Sequence, residues 1–418
     1  MMYDNTEERD IAILAAVDTG SFDVDSSLEE LEELAKTAGI ETLGYLVQRR
    51  NGIDLATCIG SGKLEELSEL ISAHNATLVI FDHELSATQL RNLEAACGVA
   101  VIDRTMLILD IFAQHARTSE GRVQIELARY RYLLPRLSGM GKSLSRLGGG
   151  GGGGGGARRG AGESKLELDR RHIRRRITHL EESLAELSRR RSLMREKRKS
   201  NGITTVAIVG YTNVGKSTLL NALTDAGVLA EDKLFATLDP TARALELPDG
   251  RSVMLVDTVG LVRRLPHHLV EAFRSTLEEV LYADLLLNVC DISSPEASEQ
   301  ISVTDSILKD LGVENTPVLS VLNKCDAIAE IPLTMGDKTI LTSAKTGFGL
   351  DELPAKIAQM LAPTQRRMSL LIPYANGALI AELRIDGKVF TEDYVENGIA
   401  LDALVDHKLI HKVAQFEC

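Results

Sequence analysis

Apolar and polar positions alternate over the first hundred residues in a pattern that predicts a small α/β unit. Strand-like apolar runs lie at residues 11–17, 42–48, 77–81 and 99–102. Segments with helical spacing lie between them, at residues 26–38, 64–74 and 86–97, and Ser26 is expected to cap the first helix. Strands and helices that alternate in this way favour a mostly parallel sheet covered by helices.

The next pattern is long and helical. Residues 106–134 have helical apolar spacing with an interruption at 118–121, and Pro135 ends the segment. Nine glycines follow at 148–156, too many for a helix or strand because each loses backbone entropy on ordering. A second helix is predicted at 166–199. Its apolar seam comprises Leu166, Ile173, Ile177, Leu180, Leu184, Leu187 and Met194.

These two helices are expected to form an antiparallel hairpin with the glycine segment at its tip. The glycine segment has two interpretations: a passive linker, or a flexible basic tip that enters a nucleic-acid groove.

A buried strand at residues 206–209 leads into the sequence GYTNVGKS, residues 210–217, and then into the helix formers TLLNAL. This matches a phosphate-binding loop, GxxxxGK[ST], between a strand and a helix. The glycines let backbone N–H groups face phosphate oxygens at the positive end of the helix dipole. Lys216 is expected to neutralise the β- and γ-phosphates, and Ser217 to bind Mg²⁺.

Three further motifs follow in order, each after a predicted strand. In DTVG, Asp257 can hold Mg²⁺ through water and the Gly260 N–H can contact a γ-phosphate. In NKCD, the Asp326 carboxylate matches the N1–H and N2–H₂ donors of guanine, a pair that adenine lacks. In SAK, residues 343–345, a backbone N–H can reach guanine O6. The four motifs in this order predict a GTPase domain.

The segment between the phosphate loop and DTVG contains candidate switch threonines. Thr237 is preferred to Thr241 as a Mg²⁺ ligand, because it follows a hydrophobic pair that could anchor the segment. Leu261 stands where many signalling GTPases have a water-orienting Gln, so slow intrinsic hydrolysis and another catalytic group are expected. Asn213 either helps to bind a monovalent cation such as K⁺ or only stabilises the loop.

Residues 369–418 are interpreted as a small appended α/β domain. Strand-like runs lie at 370–374, 378–385 and 409–416, and the sequence GKVFTEDYVENG lies between the last two. No part of this tail has the pattern of a chemical site.

Composition and charge exclude several classes of protein. There is no run of about twenty apolar residues and the N-terminus is acidic, so neither a membrane span nor a targeting peptide is expected, and the location is expected to be cytoplasmic. The five cysteines lack metal-ligand or disulfide spacing.

The net charge is −13, but residues 158–200 carry 15 Lys and Arg against 7 Asp and Glu, a local +8 that leaves −21 for the rest. This segment either contacts a polyanion or is a solvated helix face.

Residues 59–63, IGSGK, resemble half of a phosphate loop. They lack the first glycine and a Ser or Thr after the lysine. A plain turn into the next helix is the preferred interpretation, and a second nucleotide or RNA contact is the alternative.

Together these strings resemble the HflX family of ribosome-associated GTPases. The resemblance covers nearly the whole chain and rests on RGAGESKLELDRR, GYTNVGKSTLLNALT, LFATLDPTAR, DTVGLVRRLPHHLVEAFRSTLEEV and ADLLLNVCD. Where the family usually has RGPGET, this chain has RGAGES, with Ala161 and Ser164 as the two differences. The resemblance implies Mg²⁺ ligation by Ser217 and Thr237, GTP-dependent binding to the large ribosomal subunit and its RNA, and dissociation of stalled or stressed ribosomes. The alternative is a GTP-switched module that acts on another RNA or on a protein partner.

The sequence therefore predicts four regions: an N-terminal α/β domain at 1–112, a helical hairpin at 113–200, a P-loop GTPase domain at 201–363 and a small C-terminal domain at 364–418. The expected substrate is GTP, with Mg²⁺ and optionally K⁺ as cofactors. The chain is expected to be a monomer that binds neither DNA nor membranes. The expected metal ligands are Ser217, Thr237 and Asp257, and the expected catalytic residues are Lys216, Thr237 and Gly260. The expected nucleotide contacts are Gly210, Tyr211, Thr212, Asn213, Val214, Gly215, Lys216, Ser217, Thr218, Phe235, Ala236, Thr237, Leu238, Asp239, Asp257, Thr258, Val259, Gly260, Asn323, Lys324, Asp326, Ser343, Ala344 and Lys345.

Overall fold

The computed structural model describes residues 10–137, 161–224, 235, 241–264, 274–313, 316–328, 336–361 and 365–418. The chain divides into two units. The first comprises Met1–Leu187 with Asp232–Leu238 and Arg264–Arg274, and the second comprises Ser188–Glu231, Asp239–Arg263 and Ser275–Cys418. The glycine segment at 148–156 and the switch residues 236–240 lie outside the described residues.

A four-stranded parallel sheet in the order β2-β1-β3-β4 forms the core of the first unit. Its strands are β1 (Ile11–Asp18), β2 (Glu41–Arg49), β3 (Leu78–Phe81) and β4 (Ala100–Asp103). The helices are α1 (Val24–Thr37), α2 (Ser61–His74), α3 (Ala87–Cys97), α4 (Arg104–His115) and α5 (Ser119–Leu133). Helix α1 packs against α4, and α2 packs against α3. The buried strands are continuously apolar because helices cover the sheet. The predicted α/β alternation is confirmed.

Two details of this unit differ from the sequence prediction. The cap of α1 is Asp23 and not Ser26: the Asp23 carboxylate accepts hydrogen bonds from the N–H groups of Asp25 and Ser26. The helix therefore starts earlier and includes the buried Val24 in its apolar face. The second difference is the break in the long helical pattern, which lies at residues 116–118, slightly before the expected interruption, with Thr118 as the cap of α5.

Helix α6 (Ala161–Ser200) is 40 residues long. It lies in the first unit up to Leu187 and in the second from Ser188. Ile173 and Leu180 of the predicted seam are buried, whereas Met194 is 65% exposed. The seam therefore does not extend to Met194 as predicted. The hairpin itself stays a prediction, because its tip lies outside the described residues.

The second unit contains a six-stranded sheet in the order β10-β9-β8-β5-β7-β6, which is parallel except that β6 runs antiparallel to β7. Its strands are β5 (Thr204–Gly210), β6 (Thr241–Glu246), β7 (Ser252–Asp257), β8 (Leu285–Asp291), β9 (Val318–Asn323) and β10 (Thr339–Leu341). The helices are α7 (Lys216–Thr224), α8 (Arg274–Leu281), α9 (Ala297–Asp310) and α10 (Leu353–Met360). Because β5, β7, β9 and β10 are parallel, their carboxyl ends bring the four sequence motifs to one edge of the sheet.

The C-terminal region is α/β, but two of its three predicted strands are helices. Its elements are β11 (Gln365–Ile372), α11 (Gly377–Asp386), β12 (Lys388–Val395), β13 (Gly398–Asp406) and α12 (His407–Val413), and the sheet is antiparallel in the order β11-β13-β12. The apolar runs at 378–385 and 409–416 bury residues three or four apart, Ile380 with Leu383 and Leu409 with Val413, which is helical spacing. Among the helices that the structure describes, none has the length and apolar character needed to cross a membrane.

Candidate functional site

The phosphate loop connects the end of β5 to the start of α7. Gly210 and Gly215 have φ angles of +146° and +92°. A Cβ on Gly210 would lie 2.2 Å from the Val289 carbonyl oxygen, and one on Gly215 would lie 2.5 Å from Asn323 Nδ2. Both positions therefore require glycine. Asn213 is exposed and has a φ of +60°, a backbone conformation that Asn tolerates better than most residues.

Lys216 folds back onto the loop that precedes it. Its Nζ donates hydrogen bonds to the carbonyl oxygens of Gly210, over 3.1 Å, and Tyr211, over 2.6 Å. Burial lowers the pKa of Lys216 to about 8, although the nearby Asp257 carboxylate raises it. An anion bound beside this ammonium would favour its charged form. The geometry thus suits a phosphate.

A hydroxyl and a carboxylate meet at the expected metal position. Ser217 Oγ donates to Asp257 Oδ2 over 2.7 Å, and Asp257 is fully buried at the end of β7. Oxygen ligands of this kind are those that Mg²⁺ prefers, so the pair fits the ion. Thr237 lies outside the described residues. Thr241 begins β6 and pairs with Asp257 in the sheet register.

The DTVG loop is hydrogen-bonded to the phosphate loop. The Leu261 N–H donates to the Gly210 carbonyl over 3.2 Å, and the Thr212 N–H donates to the Leu261 carbonyl over 2.9 Å. A Cβ on Gly260 would lie 2.6 Å from Thr212 Cγ2 and 3.1 Å from Lys216 Nζ. The side chain of Leu261, at the position where many signalling GTPases have a Gln, is 3% exposed. It therefore packs in the core instead of facing a water molecule.

Residues behind these loops have supporting positions. Thr258 Oγ1 donates to the Ile208 carbonyl over 2.7 Å, which joins β7 to β5. Val214 and Val259 are buried, and Thr218 is exposed in the first turn of α7.

The guanine motif is joined to the phosphate loop by one side chain. Asn323 Nδ2 donates to the Val214 carbonyl over 2.8 Å, and Asn323 Oδ1 accepts the Ala344 N–H over 3.0 Å. The NKCD, SAK and phosphate loops are thereby held in one arrangement.

Asp326 lies at the surface of this arrangement. Its Oδ1 accepts a hydrogen bond from Ser343 Oγ over 2.6 Å, and this bond, with smaller contributions from Lys345 and Lys324, lowers the pKa of the carboxyl. The group is therefore an exposed carboxylate, which is what the donor edge of guanine requires. Lys324 pairs with Asp291 over 2.7 Å. Lys345 is exposed beside them.

Sequence reasoning missed two arginines that follow DTVG. In the second unit, the Arg263 N–H donates to Tyr211 Oη over 2.7 Å, and its guanidinium pairs with Glu296 and Glu299 over 2.7 and 3.1 Å. The consecutive arginines after DTVGLV were visible in the sequence, but their carboxylate partners carry no motif.

In the first unit, Arg264 has a φ of +49°. Its guanidinium forms an ion pair with Asp82, donates a hydrogen bond to Ser27 and lies 4.1 Å from the centre of the Phe22 ring. Asp82 also accepts a hydrogen bond from Arg104 over 3.0 Å.

Phe235, a predicted nucleotide contact, belongs to the first unit. Phe235 is buried in the first unit against Phe112, with ring centroids 4.4 Å apart and a φ of +57°. The following predicted contacts, Ala236 to Asp239, lie outside the described residues.

Three family models match the chain in succession. They are described as GTP-binding GTPase N-terminal over residues 25–113, GTP-binding GTPase middle region over 115–198, and 50S ribosome-binding GTPase over 205–324. A GTPase HflX of Caldanaerobacter subterraneus subsp. tengcongensis is 51% identical over 415 residues, which cover 99% of this chain and 95% of the relative. The chain belongs to the HflX family of GTPases.

The chain is also similar to a second HflX protein and to one solved structure. GTPase HflX of Escherichia coli is 40% identical over 90% of this chain and 89% of its own length. A crystal structure of a GTP-binding protein from Sulfolobus solfataricus in complex with GDP is 26% identical, covers 84% of this chain and 98% of its own, and has a TM-score of 0.44. As an HflX-family GTPase, the chain hydrolyses GTP to GDP and phosphate, with the Mg²⁺ that GTPases generally use.

Proposed function

We propose that this HflX-family GTPase binds the large ribosomal subunit in its GTP state, dissociates stalled or stressed ribosomes and leaves after hydrolysis. The observation that carries the proposal is a row of four arginines near the start of α6: Arg170, Arg171, Arg174 and Arg175. Within the described part of the chain none of them forms an ion pair, and three are exposed. Such a row is suited to the phosphates of RNA.

Three arginines in the second half of α6 form ion pairs within the protein. Arg191 and Arg195 pair with Glu278, over 3.5 and 2.9 Å, and Arg198 pairs with Glu279 over 3.2 Å. Their charge is neutralised within the protein. The contrast between these three paired arginines and the four unpaired ones favours a polyanion contact near the start of α6 over a uniformly solvated helix face. The description of the matched 50S ribosome-binding GTPase model supports ribosomal RNA as that polyanion.

The proposed nucleotide position follows the loops. The phosphates would lie along residues 210–217 beside Lys216, with Mg²⁺ held by Ser217, Thr237 and Asp257. The guanine would lie between Lys324 and the SAK loop, with its N1–H and N2–H₂ groups on Asp326. GTP would then order the switch segment that contains Thr237, and phosphate release would free it.

A potassium ion beside Asn213 is part of the proposal as an optional cofactor. The exposed side chain of Asn213 supports an ion contact, whereas its left-handed backbone supports a role in loop geometry. Replacing K⁺ by Na⁺ distinguishes them: an ion ligand makes the hydrolysis rate depend on the cation, and a loop residue does not. We also propose that the chain acts as a cytoplasmic monomer, built from the four regions given above, without DNA or membrane partners.

Co-sedimentation with ribosomal subunits tests the proposal. The full chain is centrifuged with large subunits in a non-hydrolysable GTP analogue or in GDP, at two salt concentrations. Binding that requires the analogue and weakens at high salt is expected, because each phosphate contact releases counterions. Equal binding in both nucleotide states, or none, would overturn the ribosome assignment.

A charge-matched pair of variants locates the contact. Replacing Arg170, Arg171, Arg174 and Arg175 with Ala is expected to abolish pelleting. The control replaces four exposed basic residues of the second unit, Lys309, Lys338, Arg366 and Lys412. Deleting residues 148–159 tests the tip separately. If binding survives both the arginine replacement and the deletion, the alternative of a module for another RNA or protein gains support.

A further inference from the structure

The side-chain hydroxyl of Thr212 has no evident role in the fold. Thr212 is 5% exposed, and among the described residues Oγ1 has no hydrogen-bond partner. A buried hydroxyl without a partner lowers stability, because it loses its bonds to water on folding. Such a group in a native structure requires an explanation, and a catalytic role is one of them.

Thr212 lies close to the position proposed for the γ-phosphate of GTP, so the reacting end of GTP is the ligand expected there. Thr212 Cγ2 would lie 2.6 Å from a Cβ on Gly260, a position that is also 3.1 Å from Lys216 Nζ. Its backbone N–H is bonded to the Leu261 carbonyl. Thr212 therefore belongs to the region where the phosphate loop, the lysine expected to face the γ-phosphate, and the DTVG loop meet.

Among the described residues, no other side chain at this position is suited to hold a water molecule. Leu261 is apolar and buried, Lys216 donates to two loop carbonyls, and Asn213 is exposed. Gly260 contributes only backbone. Thr212 alone, of the described residues around Gly260, offers an uncommitted hydroxyl.

We propose that the Thr212 hydroxyl positions the attacking water in GTP hydrolysis, in the role that a glutamine has in other GTPases. Oγ1 accepts a hydrogen bond from the water and keeps its own proton. The water oxygen forms a bond to the γ-phosphorus, and the bond to the bridging oxygen breaks with its electron pair on the β-phosphate of GDP. Both water protons leave with inorganic phosphate. The proposal rests on the proposed position of the γ-phosphate beside Lys216. That position is tested separately, by measuring the nucleotide affinities of the unmodified protein.

Two substitutions separate the hydroxyl from the shape of the side chain. Thr212→Val keeps the branched shape and removes the hydroxyl, whereas Thr212→Ser keeps the hydroxyl. The control is Thr304→Val, the same change at a buried threonine of α9 whose hydroxyl donates to the Gln300 carbonyl. Single-turnover hydrolysis of GTP, the affinities for GDP and a non-hydrolysable GTP analogue, and the Tm without nucleotide are measured for each.

Thr212→Val is expected to hydrolyse GTP about 10- to 100-fold more slowly, which corresponds to one lost hydrogen bond in the transition state. Its GDP affinity should change less than about twofold, and its Tm should be equal or higher, because the unpartnered hydroxyl is gone. Thr212→Ser should retain most of the rate. A wild-type rate in Thr212→Val would overturn the proposal, as would an equal loss in Thr212→Ser or a loss of rate explained by weaker GDP binding.

Discussion

Asn323 links two loops that lie 109 residues apart in the sequence, because its Nδ2 donates to the Val214 carbonyl over 2.8 Å. Its Oδ1 accepts the Ala344 N–H, so the same amide also fixes the SAK loop. The phosphate and guanine halves of the site are therefore not independent. A disturbance of this amide should be felt at both ends of the nucleotide.

We predict that Asn323→Ala lowers nucleotide affinity and stability together. The substitution leaves the Val214 carbonyl and the Ala344 N–H without their partner, at a loss of about 1–3 kcal/mol in the free energy of unfolding. GDP affinity should fall at least tenfold. Fluorescent-GDP titration and urea unfolding measure both. Asn92→Ala, which removes one exposed side-chain hydrogen bond to the Ala56 carbonyl, serves as the control. An unchanged GDP affinity in Asn323→Ala would contradict the link.

Gly260→Ala should block the hydrolytic step more than nucleotide binding. A Cβ at this position would lie 2.6 Å from Thr212 Cγ2 and 3.0 Å from the α-carbon of Thr212, so the DTVG loop must move away from the phosphate loop. GTP hydrolysis should fall by about 100-fold or more, since the expected contact of the Gly260 N–H with the γ-phosphate is lost. GDP affinity should change little.

The methyl group of Thr212 offers an internal check on this explanation. Thr212→Ser removes Cγ2 and should restore part of the rate in the Gly260→Ala background. The new methyl group would still lie 3.0 Å from the α-carbon of residue 212, so rescue should be incomplete. If the rate reduction in the double variant equals the product of the two single reductions, the two residues do not interact.

Much of the nucleotide half of the fold could be predicted because its motifs are local. The strand before GYTNVGKS, the strand before DTVG and the strand before NKCD are apolar runs that end in polar motif residues, and parallel pairing aligns their ends. The antiparallel β6 was not predicted, since residues 241–246 are largely exposed and have no strong apolar pattern.

The C-terminal region was predicted less well because short apolar runs do not distinguish a strand from a helix. Residues 378–385 contain enough apolar positions for either. The spacing of Ile380 and Leu383, with strong helix formers between them, decides the outcome. Arg263 and Arg264 were missed for a different reason: their partners are carboxylates far away in sequence, which only the fold brings near.

Asp326→Asn should change the base that the protein prefers. The carboxylate accepts hydrogen bonds from two guanine donors, whereas an amide offers one acceptor and one donor. Xanthine has a carbonyl in place of the N2 amino group, so it matches the amide. The variant should bind GDP at least 100-fold more weakly and xanthosine diphosphate more tightly than the unmodified protein does. Competition titrations with both nucleotides measure the ratio, and a loss of affinity for both bases would contradict this role.

Asp82→Ala should strongly destabilise the first unit. Asp82 is 2% exposed and pairs with both Arg104 and Arg264, so its removal leaves the buried Arg104 without one of its acceptors. Breaking a buried ion pair from one side typically lowers the free energy of unfolding by about 3–5 kcal/mol. Arg264→Ala should have a smaller effect, because Arg104 still neutralises Asp82. Urea unfolding of the full chain compares the two variants, and an equal or larger effect of Arg264→Ala would refute the ranking.

Nucleotide affinity should depend on pH through Lys216. Its pKa in the free protein is about 8, because burial disfavours the charged form. Bound phosphates favour the ammonium and raise this pKa, so binding takes up a proton at pH values above about 8. Affinity for GDP should therefore be flat from about pH 7 to 8 and then fall by up to tenfold per pH unit.

Lys216→Arg keeps its charge throughout this range and should lose the dependence, although its affinity is lower. Titration of fluorescent GDP between about pH 7 and 9 gives both curves. Since the guanine base and Asp326 are the same in both proteins, a decline of equal steepness in the arginine variant would place the titrating group elsewhere.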